Sequence, residues 1–240
     1  MRIQKIQVLG GSASTAFALE DNTAWPNQVA KAFPKIEITH KYLNGLTFVR
    51  SINILHELEH SDVLILHFGT SVGWPSAVVN LGHRLGLDLH NEFSFHQPAL
   101  PYKGGFVPKL GKKVKLKLRN FIKYLLFFLG LYRPRASFRE LEEQIGAVLS
   151  IALTKADHVI WIQHRSLDYS RIALESLIYS RYYRKILKFL NLSKLQNLIV
   201  LELNQKFLIS ENFLNDGVHL SERGHSAITN KIVSTLSGMK

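Results

Sequence analysis

Alternating apolar strands and amphipathic helices predict an α/β fold, a three-layer sandwich around a parallel sheet. Three observations carry this expectation. Asp62 to Phe68 is a nearly continuous apolar run closed by Gly69, as suits a central strand covered on both faces. Four further short apolar stretches read as strands: Gln4 to Leu9, Ile36 to Tyr42, His158 to Ile162 and Leu198 to Leu203. The segments between them carry helical periodicity, and strands that alternate with helices form parallel βαβ units.

The helices follow in order. Trp25 to Phe33 places Trp25, Val29, Ala32 and Phe33 on one side and stops at Pro34. Asn44-Gly45 is a turn signal. Phe48 to His60 is expected to turn Val49, Ile52, Leu55 and Leu58 inward. Residues from about Val72 to Arg135, rich in Gly, Pro and His, read as irregular. Phe138 to Lys155 is a helix with Leu141, Ile145, Val148, Leu149 and Ala152 inward, and Ile172 to Leu190 is a second long one. Its neighbourhood carries Arg181, Arg184, Lys185 and Lys188, read as a solvated face. Ser221 to Leu236 closes the chain, with Ser221 as N-cap. The whole is expected to be one domain of residues 1–240 with a basic insertion at about 83–136.

Composition narrows the function classes. The 240 residues suffice for a full α/β core. There is no cysteine, which excludes disulfides and thiolate zinc sites. The opening Met1 to Leu9 alternates polar and apolar residues and lacks a continuous signal-peptide core. A cytoplasmic protein is expected. Net charge is +12, and between Pro101 and Arg135 there are ten Lys or Arg and no Asp or Glu.

In parallel sheets, sites gather at the C-terminal strand ends. Two pieces of sequence fall there. Leu9-Gly10-Gly11-Ser12 puts a serine on a glycine turn directly after the first strand. Asp216-Gly217-Val218-His219 offers a carboxylate and an imidazole just before the final helix. A converging serine, histidine and aspartate can perform nucleophilic acyl chemistry. Ser12 is the candidate nucleophile, His219 its base and Asp216 the group that orients His219. The competing reading of the first piece is a plain or anion-binding βα turn, and of the second a polar helix entry.

This constellation resembles the SGNH (GDSL-like) hydrolase family. Val8-Leu9-Gly10-Gly11-Ser12 is similar to its first block, Asn44-Gly45 to its second, and Asp62 to Thr70 to its third. Asp216-Gly217-Val218-His219-Leu220, followed by Gly224-His225, resembles its fifth, and Trp25-Pro26 lies where many members have the same pair. The resemblance spans about 3–70 and 158–232. It implies a flavodoxin-like five-stranded sheet and a serine esterase or deacylase without metal or organic cofactor. It also implies an oxyanion hole formed by the amides of Ser12 and Gly45. Two positions depart from the pattern. Ser71 stands where the family has an oxyanion-hole asparagine, and Gly11 replaces the aspartate beside the nucleophile. Loss of one such donor typically costs about 10²–10³ in turnover. His67, Asn80 and His164 are candidates to complete the hole.

The implied substrate is an acylated carbohydrate, glycan precursor or lipid-like small molecule. Acyl transfer to a sugar hydroxyl and a non-catalytic binding module are the alternatives. The basic segment has four readings: a packed insertion, an anionic membrane surface contacted through 109–135, an anionic substrate, and nucleic acid, ranked last because no nucleic-acid module is recognisable. At a membrane, the protein would sit at the inner face. His56-Glu57-Leu58-Glu59-His60 formally fits a zinc motif, but no third ligand follows, and a solvated helix end is expected instead. His83, His90, His96, His164 and His225 read as scattered surface histidines.

Overall fold

The computed structural model describes residues 3–17, 19–69, 118, 121–134, 136–164, 173–203, 207–214 and 217–239. Five strands form one sheet: β1 (Lys5–Gly10), β2 (Glu37–Tyr42), β3 (Ser61–Phe68), β4 (Ala156–Gln163) and β5 (Leu198–Glu202). Their order is β2-β1-β3-β4-β5 and every pair is parallel. This is the flavodoxin-like order expected from the resemblance, with the chain reversing direction across the sheet at β1 and β3. Leu9 stands opposite Lys41 on one side and Leu66 on the other, and Leu66 opposite Trp161.

The period of two along each strand divides the core between two faces. Leu64, Leu66 and Phe68 of β3 join Leu9 and Trp161 on one face. There they meet α2 (Phe48–Glu57), α4 (Phe138–Lys155) and α5 (Ala173–Leu192). Val63 and Ile65 join Ile6, Val8, Ile160 and Ile162 on the other face, against α1 (Trp25–Ala32) and α6 (Glu222–Gly238). Burying each such side chain stabilises the fold by about 1.5–3 kcal/mol.

Local chemistry sets the helix ends. Thr47 caps α2 through the Arg50 N–H, and Ser221 caps α6 through the Gly224 N–H at 3.2 Å, as expected for Ser221. Ser137 and Glu140 form a reciprocal capping box at the start of α4. All five residues expected to face inward on α4 are buried. On α2 and at its end, Leu55 and Leu58 are buried and Ile52 packs on the core, as expected, while Phe48 and Ser51 are buried too and Val49, expected inward, is exposed. On α1 the buried residues are Trp25, Pro26 and Val29, while Ala32 is exposed. The expected solvated face of α5 is present, with Arg181, Arg184, Lys185 and Lys188 exposed.

The stretch read as irregular contains a helix, α3, at residues 121–128. Its run Phe-Ile-Lys-Tyr-Leu-Leu-Phe-Phe has no Gly or Pro, and Gly130 ends it at φ 69°. The Leu131 N–H reaches Leu126 O at 2.8 Å and the Gly130 N–H reaches Phe127 O at 2.9 Å. That pair of bonds is a Schellman stop. The zinc-like motif is a solvated helix end, as expected. Helix α2 ends at Glu57, so His60 is not one helical turn from His56. His60 lies 3.6 Å from Asp157 instead. Among the described residues no cluster of three metal-ligating side chains occurs, and no helix is long and apolar enough to cross a membrane.

Candidate functional site

The site is built on the C-terminal edge of the sheet, where β1 runs into a short 3₁₀ turn at Ser12–Ser14. Ser12 opens that turn and is half-buried. Gly10 and Gly11 were expected to supply turning freedom, but neither has a positive φ among the described glycines. Gly10 serves a close approach instead. A Cβ there would fall 2.6 Å from Ser14 Cβ and closer still to Ser14 Oγ. Gly11 has room, since its Cβ would meet Leu46 Cβ at 3.5 Å. The aspartate of the family pattern is therefore missing for no backbone reason.

The Leu43–Leu46 turn packs beside the serine turn. The Leu43 N–H donates to Gly10 O at 3.0 Å, and the Leu46 N–H closes the turn on Leu43 O at 3.0 Å. Gly45 has φ 66°, which a type II turn requires at its third residue. The structure thus brings the turn that contains Gly45 next to Gly10 and Gly11.

The third piece is the loop between Phe213 and Leu220, which form an antiparallel bridge. The Leu214 N–H donates to His219 O at 2.8 Å, and Gly217, at φ 71°, donates to Leu214 O at 2.9 Å. His219, 4% exposed, stacks on Phe17 with ring centroids 4.1 Å apart and planes 21° from parallel. Phe17 follows the Ser12 turn, so the base candidate lies against the segment that carries the nucleophile candidate. Asp216 and Ser71 lie outside the described residues, as does Asn80.

Beneath these turns lies a buried histidine cluster that the sequence reading missed. His67, at the end of β3, and His164, after β4, are fully buried with ring centroids 5.8 Å apart, and His225 of α6 is 1% exposed. His164 and His225 are therefore not surface histidines. Trp25 Nε1–H can only donate, so His67 Nδ1 accepts it at 3.1 Å and the His67 proton sits on Nε2. Ser14 Oγ–H donates to the same Nδ1 at 2.7 Å. His225 Nδ1 accepts the Trp25 N–H at 3.2 Å. His164 Nε2–H donates to Val218 O at 2.8 Å, holding the residue before His219. The Tyr179 hydroxyl in turn donates to His164 O at 2.7 Å.

Burial holds His67 well below the ordinary histidine range, reinforced by repulsion from His164 and His225. His225 is lowered to about 4, by burial first and His164 second, while the Thr15 carbonyl partly favours its charged form. The His67 and His225 rings are neutral hydrogen-bonding parts of the frame. Burial removes His67 and His164 as donors to an oxyanion. The same burial separates the two serines of the turn. Ser14 has a histidine partner and is fully buried beneath Gly10, whereas Ser12 is half-buried.

One further close approach shapes the site. A Cβ on Gly224 would run into the Asn212 carbonyl, lying 3.0 Å from its carbon. This packs the start of α6 against the loop that carries His219.

The fold and this edge define the class: a parallel α/β/α sandwich with the SGNH hydrolase fold. It superposes over 98% of its length on 98% of a G-D-S-L family lipolytic protein from Veillonella parvula, with TM-score 0.59 and 12% identity. A lipase/acylhydrolase from Enterococcus faecalis matches 99% of the chain and 97% of its own, with TM-score 0.58 and 13% identity. A carbohydrate esterase family 3 protein from Talaromyces cellulolyticus gives 99% and 98% coverage, TM-score 0.56 and 12% identity. At such identities what is shared is the fold. No protein-family model and no curated protein sequence matches the chain.

Proposed function

We propose that this protein is a serine esterase or deacylase of the SGNH type that removes acetyl or short acyl groups from a carbohydrate or glycan precursor. The observation that carries the proposal is the meeting of three segments at one sheet edge. The Ser12 turn packs on the Gly45 turn, and Phe17 just beyond Ser12 stacks on His219. A nucleophile, a base and an amide-rich turn at the C-terminal strand ends are the parts that acyl transfer to a hydroxyl requires.

In this reading Ser12 Oγ attacks the ester carbonyl carbon while His219 takes the hydroxyl proton. The carbonyl oxygen becomes an oxyanion received by the amides of Ser12 and Gly45, with the Ser71 hydroxyl as third donor. Asp216 orients His219 and stabilises its charged form. His219 then gives its proton to the departing alcohol, and an acyl group remains on Ser12. Water, deprotonated by His219, attacks that ester, and His219 returns the proton to Ser12 Oγ as the acid leaves. The chain's own residues supply every proton transfer, without a metal or organic cofactor.

The carbohydrate preference draws on a carbohydrate esterase and an acetyl esterase among the proteins of the same fold. The protein would act in the cytoplasm, with peripheral contact at the inner membrane face. Replacing water by a sugar hydroxyl in the second half would make it an acyltransferase, and product analysis with and without an acceptor sugar separates the two. Hydrolysis of p-nitrophenyl acetate beside Ser12→Ala tests the proposal. Turnover lost in Ser12→Ala and kept in Ser14→Ala supports it. Equal turnover in wild type and Ser12→Ala refutes it and favours a binding module on the same scaffold.

A further inference from the structure

Helix α3 carries large apolar residues on two opposite faces. Leu126 and Phe127 face the body of the protein, packed with Tyr132 and with Leu174 and Ile178 of α5. At 100° per residue, Phe121, Leu125 and Phe128 lie along the opposite stripe. Among the described residues nothing covers that stripe: Phe121 is 66% exposed, Leu125 49% and Phe128 81%. Leu118 and Leu129, on its margin, are 58% and 57% exposed. A soluble helix normally turns a polar face to water, and a contiguous exposed patch of large apolar residues marks a contact surface.

Charge says what the contact is. The segment from Pro101 to Arg135, which contains α3, has ten Lys or Arg and no acidic residue. A second copy of this chain would carry the same excess of cations, which disfavours self-association. An anionic bilayer meets both features at once. Its headgroups attract the cations at roughly 1 kcal/mol each, and its acyl boundary accepts the apolar stripe. Residues 121–128 make about 12 Å of helix, far short of a span, so α3 would lie in the interface plane. Lys123 lies 5.9 Å from the centre of the Tyr132 ring, among these apolar residues, a placement suited to a side chain with an apolar stem and a cationic head.

We propose that the outer face of α3 docks this protein on an anionic lipid surface through Phe121, Leu125 and Phe128, with the basic segment supplying the electrostatic attraction. This inference stands apart from the esterase reading, since it rests on a different face and a different observable.

Co-sedimentation of the full chain with phosphatidylcholine vesicles, with and without phosphatidylserine, tests it. Binding is expected only with phosphatidylserine and should weaken as salt is raised. The variant Phe121→Ser/Leu125→Ser/Phe128→Ser should bind at least about tenfold more weakly at an unchanged melting temperature, because it leaves Leu126 and Phe127 in place. Three results would overturn the proposal. One is no binding to phosphatidylserine vesicles, and another is equal binding by the variant. The third is a wild-type dimer, seen by light scattering, that the variant converts to a monomer while lipid is ignored. That outcome would assign the face to a second copy.

Discussion

Gly10→Ala probes the frame under the proposed nucleophile. The new methyl would sit 2.6 Å from Ser14 Cβ and closer to its Oγ, well inside the distance that carbon and oxygen tolerate. Ser14 has no room to yield cheaply, because its hydroxyl is held by His67 Nδ1 at 2.7 Å and it is fully buried. Overpacking of this kind costs about 1–3 kcal/mol, and losing one buried hydrogen bond adds about 1 kcal/mol. Gly10→Ala is therefore expected to lower stability by about 2–4 kcal/mol, read from the midpoint of urea unfolding at constant slope. Gly11→Ala is the matched control. Its methyl meets nothing nearer than 3.5 Å and its φ of −88° suits any residue, so it should stay within about 0.5 kcal/mol of wild type. Adding Ser14→Gly to Gly10→Ala removes both clashing atoms and should recover at least about 1 kcal/mol of the loss. If Gly10→Ala is as stable as Gly11→Ala, the packing account of this turn is wrong.

Other consequences follow from the same geometry. His225 is held near 4 against an ordinary 6.5, so the unfolded chain binds a proton that the folded one refuses between those values. Stability should be full above pH 6.5 and fall as pH drops towards 4, by about 3 kcal/mol for this group. His225→Gln should flatten that slope, and an unchanged slope in unfolding measured from pH 4 to 7 would contradict the assignment. Phe17→Ala removes the ring stacked on His219. It should lower kcat by about ten- to a hundredfold through misplacement of the base, with little effect on melting temperature. An unchanged kcat for p-nitrophenyl acetate would show that the stack does not position His219.

The sheet was readable because each strand is short, apolar and bounded by turn residues, and parallel order follows from the intervening helices. Strand ends agree with expectation within two residues, as at Leu198–Glu202. On α2 only Val49 was misread, because Phe48 and Val49 are adjacent apolar residues and the pattern alone does not decide which of them turns inward. Helix α3 was hidden by the Gly and Pro around it, although Leu129-Gly130 carried a stop signal. At the proposed site, local motifs pointed to Ser12, Gly45 and His219. The histidine cluster was not, because His67, His164 and His225 are far apart in sequence and meet only when β3, β4 and α6 assemble. A buried histidine looks like any other until its neighbours are known. Phe17 was passed over for the same reason.

The central claim is that Ser12, and not its buried neighbour Ser14, forms the covalent bond to substrate. A fluorophosphonate reacts only with an activated, accessible serine, and fragmentation of the labelled peptide assigns the adduct to one residue. The account predicts a single adduct on Ser12, absent in Ser12→Ala and retained in Ser14→Ala. An adduct on Ser14, or none on a folded protein, would contradict it.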